Sequence, residues 1–133
     1  MEAIERVSKF LEEAQTYYLA TVEGDQPRVR PFGTVLVYEG RLYIETGKAK
    51  DVSRQIGKNG KVELCAFKDG VWLRVAGELR EDDRREVRVK MLEKMPSLKA
   101  MYDPDDGNMQ MLYFTGAQAV FSSFTAAPEK LCF

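Results

Sequence analysis

The chain has 133 residues, enough for one domain that buries roughly two-thirds of its unfolded surface and folds without a disulfide or structural metal. With 44% hydrophobic and 31% charged residues it has a globular composition, and its 20 basic and 21 acidic side chains leave a net charge of −1. That balance argues against broad binding to nucleic acid or anionic membranes, and the absence of histidine removes the usual general base and commonest metal ligand, so hydrolase triads and HExxH metalloenzymes are out.

In chain order, "MEAIERVSKFLEEAQ" carries Ile4, Val7, Leu11 and Ala14 at helical spacing and lacks the apolar run of a signal peptide. No later stretch approaches the roughly 20 apolar residues of a membrane span, so a cytoplasmic location is expected. The period then changes to two. "YYLATVE" (17–23), "RVRPFGTVLVY" (28–38) and "RLYIET" (41–46) predict an antiparallel meander, separated by the turn signals "GDQP" and "EG". "GKAKDVSRQIGKNG" predicts a short helix with Val52 and Ile56 on its apolar face, closed by Gly57 and Gly60.

Strands follow at 61–67 and 71–81, joined at "KDG". "DDRREVRVKMLEKM" predicts a helix opened by an acidic pair, with Glu86 three residues after Asp83 as in a capping box. After the turn-rich "YDPDDGN", where Tyr102, Asp103 and Asp105 could border a pocket, come a long strand at 109–123 and a short last one at "KLCF". Cys65 and Cys132 form no CxxC pair and read as reduced, structural thiols. Five or six antiparallel strands with short helices predict one mainly β domain over 1–133, a small barrel whose ends the helices cover. The aromatics Tyr113, Phe114, Phe121 and Phe124 exceed what so small a barrel holds, which points to an oligomer.

The stretch "QPRVRPFGT" places two arginines on one face of a strand. On period two, Arg28, Arg30, Phe32 and Thr34 point one way, and Val29, Pro31, Gly33, Val35 and Val37 point the other, toward the expected barrel interior. Pro31 cannot donate to a ladder and Gly33 has no side chain, so a bulge or break is expected there. The next strand ends in "ETGKAKDVS", where Thr46, Gly47, Lys48, Lys50 and Ser53 crowd a helix start, a phosphate site in outline. Paired side by side, the two clusters would converge on one anion.

The order of "YYLATVEGDQPRVRPFG", "LYIETGKAKDVSRQI", "KVELCAF" and "VWLRVAGE" before a late aromatic strand resembles the pyridoxamine 5′-phosphate oxidase-like family, over nearly the whole chain. That resemblance implies a six-stranded antiparallel split barrel that binds FMN, or less often a deazaflavin, at the interface of a homodimer. It puts Arg30, with Arg28 beside it, near the FMN phosphate and ribityl chain. Pro31, Phe32 and Gly33 would line the ring, Thr46 and Gly47 the ring or ribityl, and Lys48, Lys50 and Ser53 the phosphate. Trp72 would approach the ring from a paired strand.

There are departures. The lysine spacing differs from the oxidases' own basic motif, and the oxidases' extended substrate-recognising C-terminal segment has no equivalent before Phe133, so oxidation of vitamin B6 is not expected. Relatives that degrade haem or reduce nitroimidazoles often rely on a histidine. What the resemblance implies is therefore an FMN-dependent oxidoreductase of small molecules, with NAD(P)H as a possible reductant and no assigned acid or base. A non-enzymatic flavin-binding or sensing module is the alternative. A barrel binding single-stranded nucleic acid is the poorer third, against which the net charge speaks.

Overall fold

A computed structural model describes all residues, 1–133. Helix α1 (Ala3–Ala14) buries Ile4, Val7, Ser8 and Leu11, the stripe that the 3.6-residue period lays on one side. Strands β1 (Tyr17–Glu23), β2 (Gln26–Phe32), β3 (Leu36–Tyr38) and β4 (Arg41–Gly47) lead to helix α2 (Asp51–Lys58). Strands β5 (Lys61–Lys68) and β6 (Val71–Glu81) precede helix α3 (Arg85–Lys94) and a 3₁₀ segment (Pro96–Ala100). Strands β7 (Met109–Ser123) and β8 (Glu129–Cys132) complete the chain. The β3–β4 and β5–β6 hairpins turn on Glu39-Gly40 and Asp69-Gly70, all four with positive φ, the conformation a two-residue turn needs to match strand twist.

All eight strands lie in one antiparallel sheet, ordered β2-β1-β5-β6-β7-β4-β3 with β8 paired to β7, two strands more than the six expected. Its two ends, β2 and β3, are consecutive in the chain and joined only by residues 33–35. The sheet therefore curls back on itself, but its ends do not pair. That seam is the split of the barrel. Inside lie Leu19, Leu42, Ile44, Leu64, Leu73 and Val75, each fully buried, and α1 closes one side. A second apolar layer, with Tyr43, Met91, Leu98, Tyr102 and Met111, packs α3 and the 3₁₀ segment against the outside of β4 and β7.

Several expectations are corrected. The predicted strand 28–38 is two strands, because the chain leaves the ladder after Phe32, at the Pro31/Gly33 break. The faces of β2 are reversed: Val29 is 67% exposed and Pro31 exposed, while Phe32 packs on the core and Arg30 is half-buried. β2 and β4 do not pair; β2 pairs only with β1, and β4 with β3 and β7. The capping box is absent. Arg84 precedes α3 without a side-chain cap, Asp82 Oδ1 accepts from Arg84 N (3.2 Å), and Glu86 Oε2 accepts from Tyr38 OH (2.7 Å). At the end of α2, Asn59 is the cap residue, in extended conformation. Both cysteines are free and exposed, because they lie on outward-facing positions rather than in the core. Of the four aromatics, Phe114 is buried in the monomer, Tyr113 and Phe121 are half-buried, and Phe124 is 94% exposed.

Candidate flavin site at the barrel split

The split gathers residues from four elements. Gly33–Val35 crosses it, held by Thr34. Thr34 Oγ1 accepts from Glu45 N (2.9 Å) and donates to Glu45 O (3.3 Å), and Tyr17 OH donates to Thr34 O (2.7 Å). These bonds dock the connection onto β4 where ladder pairing is missing. A cavity of about 200 Å³ results, with Arg30, Pro31, Phe32 and Gly33 on one wall and Glu45, Thr46 and Lys50 on another. Leu98, Met101 and Tyr102 roof it. Tyr102, from the turn-rich stretch before β7, is thus a pocket residue.

Arg30 is the organising cation. Its Nη1 donates to Leu19 O (3.2 Å) and Thr21 Oγ1 (2.7 Å), and its Nη2 donates to Gln55 Oε1 (2.6 Å). All three acceptors are neutral. The guanidinium has five N–H donors, so two remain for a ligand. Partial burial pulls its pKa down, Asp51 opposes this, and Arg28 adds to it. Lys50, at the N-cap position of α2, also makes no salt bridge within the chain, although its side chain lines the same cavity. Two cations without a carboxylate partner, beside a helix N-terminus, form an anion-binding arrangement.

An open groove of about 530 Å³ continues from the cavity past Arg30, Lys50 and Val52 to Arg28 and Arg54. The outer cations here are already engaged. Arg28 pairs with Glu23 (3.0 Å), and Arg54 with Asp51 (2.8 Å) and Glu23 (3.2 Å).

The other expected residues lie elsewhere or are committed. Gly47 is packed under Tyr102 and Asn108, where an added Cβ would come within 2.9 Å of Asn108 Nδ2. Lys48 points toward Glu81 (3.5 Å) and Asp83 (3.9 Å). Ser53 Oγ donates to Gln110 Oε1 (2.6 Å). Trp72 stands on the opposite, outward face of the sheet, its ring 5.1 Å from that of Phe124. The structure thus brings together Arg28, Arg30, Pro31, Phe32, Gly33, Thr46 and Lys50 in the cavity and the groove that adjoins it. Within a single chain it leaves Gly47, Lys48, Ser53 and Trp72 outside.

Glu45 is the residue that sequence reasoning missed. It is 4% exposed, and its Oε2 is the one buried side-chain polar atom in the chain without a hydrogen-bond partner. Burial raises its pKa to about 8, against the pull of Lys50 and with a push from Asp106. The only signal in the sequence was an acid inside the apolar run "LYIETG", in a strand covered on both faces.

These residues fit a flavin mononucleotide in kind: free cations for a phosphate at one end, and backbone, apolar and one unsatisfied polar group for a ring at the other. Known proteins share the fold. A crystal structure of a nimC/nimA family protein from Clostridium acetobutylicum is 46% identical, with a TM-score of 0.95, covering 98% of this chain and 92% of that one. General Stress Protein 26 from Bacillus anthracis is 20% identical with a TM-score of 0.79, over 100% of both chains. A pyridoxamine 5′-phosphate oxidase-related, FMN binding protein from Nostoc punctiforme is 16% identical with a TM-score of 0.66, over 98% and 94%. None of the curated proteins matches the chain. The family model described as pyridoxamine 5′-phosphate oxidase matches residues 3–121, and with the barrel just described it establishes that the chain belongs to the pyridoxamine 5′-phosphate oxidase-like family.

Proposed function

We propose that the protein is an FMN-binding oxidoreductase, a homodimer with flavin at the subunit interface, that passes reducing equivalents from NAD(P)H to a small molecule. One observation carries this: Arg30 and Lys50, cations with no acidic partner, flank a cavity walled by Pro31, Phe32, Gly33 and Thr46. The FMN-binding relative with the same fold supports the choice of ligand. Arg30 and Lys50 would hold the phosphate, each charge-assisted bond contributing roughly 1.5–3 kcal/mol. Pro31–Gly33 would lie along the ring, and Arg28, turned toward Glu23, would shape the groove's outer rim.

Bound FMN would supply the hydride and electron-transfer chemistry, and the chain would bind it, orient it and exclude water. The dimer rests on the outward face of the sheet. There Tyr18, Val29 and Phe67 are 53%, 67% and 65% exposed, next to Pro31, Trp72 and Phe124, an apolar surface of the kind a partner covers. A partner on that face would also bring Trp72 into an interface.

The visible spectrum of the protein, as purified and after FMN addition, tests the cofactor. An NAD(P)H titration of the loaded protein tests turnover. A bound flavin bleached by either nicotinamide is the expected result. A flavin that binds and is never reduced leaves a binding module, and a spectrum unchanged from free FMN removes the cofactor assignment.

A further inference from the structure

The position of Glu45 is costly. A carboxyl with a buried, unpartnered oxygen forfeits hydration without replacement, and native structures keep such groups rarely. Glu45 lines the cavity together with Arg30, Leu98 and Met101. We propose that Glu45 reads the ligand: in its protonated form it donates a hydrogen bond from the cavity wall to a carbonyl-type acceptor on the ring of the molecule bound there. This rests on the flavin assignment, in which the acceptor belongs to the dione end of the ring.

The surroundings favour the neutral acid. Lys50 from the N-cap of α2 and Arg30 from β2 are the cations facing the cavity, and both are expected to serve the ligand's anionic end. Asp106, from the turn before β7, adds negative potential, while burial keeps the Tyr17 phenol of β1 neutral and Tyr102 lines the roof. Desolvation by burial then keeps the proton on Glu45 at neutral pH, with ionisation centred at about 8. Once ionised, the carboxylate can only accept, and it repels a carbonyl oxygen. Affinity for the ring therefore falls as pH rises through that value.

FMN titrations followed by flavin fluorescence, from about pH 7 to pH 9.5, compare the unaltered protein with Glu45→Gln, which keeps a donor but cannot titrate. The expected Kd of the unaltered protein rises about tenfold across the window, while that of the glutamine variant changes less than about twofold. Parallel curves, or a flat curve for the unaltered protein alone should the variant fail to fold, overturn the role of Glu45. FMN binding by neither protein at any pH overturns the flavin assignment, and the inference with it.

Discussion

Glu45, near the end of β4, and Asp82, just past the end of β6, are 4% and 8% exposed, and their carboxyls are in opposite chemical states. Asp82 Oδ2 accepts from Tyr43 OH (2.7 Å) and Arg84 Nη2 (2.9 Å), and its Oδ1 accepts from Arg84 Nε (3.0 Å). The Arg84 guanidinium, helped by Tyr43, holds its pKa down at about 2. Glu45 receives no such help, and desolvation raises its pKa to about 8. Glu45 lies in, and Asp82 just beyond, a strand that leads toward a helix. Asp82 is sealed into a satisfied network that fixes α3 to the sheet, and Glu45 lines a cavity with one oxygen buried and unpaired. Satisfaction marks the structural junction, and its lack marks the site.

The largest effect expected from breaking this contrast is on the apo protein's stability. A raised folded-state pKa means that the native state holds the Glu45 proton more tightly, so its contribution is present below 4.5 and lost as pH rises through about 8. Glu45→Gln should therefore stabilise the apo protein by about 3–5 kcal/mol at pH 8.5 and by little at pH 4.5, as read from urea unfolding. Asp82 has the opposite sign. Its depressed pKa contributes stability that is present above 3.8 and lost as pH falls toward about 2. Asp82→Asn should cost about 2 kcal/mol at pH 7, in part by leaving Arg84 without its counter-charge, and flatten that acid limb. At the mouth, Lys50→Ala should weaken FMN binding about tenfold, whereas Arg28→Ala, already paired with Glu23, should change it less than about threefold. Equal losses for the two would erase the distinction between free and paired cations.

Much of the fold was legible because its signals are local. The period-two runs, the "EG" and "DG" turns and the Val52/Ile56 pair each depend on neighbours in sequence. The face of β2 was not. Alternation says which residues share a side, and Val29 and Pro31 looked like interior, but they belong to an outward apolar surface while Arg30 reaches inward to Leu19 O, Thr21 and Gln55. The meeting of "RPFG" with "ETGKAK" was anticipated for the wrong reason. It depends on the curl of the whole sheet, a non-local property, and is secured by Thr34 rather than by a ladder. Lys48 and Lys50 could not be told apart from spacing, because only the fold sets Glu81 and Asp83 beside the first. Glu45 was passed over because an acid in a strand ordinarily faces water.

The central claim is that Arg30, held by neutral acceptors with two donors to spare, anchors the phosphate of FMN. Equilibrium titration of FMN into the unaltered protein and into Arg30→Ala, at fixed salt and pH 7, tests it most directly. Tight binding by the first and a loss of roughly 10- to 100-fold in the second are expected, with riboflavin, which lacks the phosphate, affected far less. Unchanged FMN affinity in Arg30→Ala, or an equal loss for riboflavin, would contradict it.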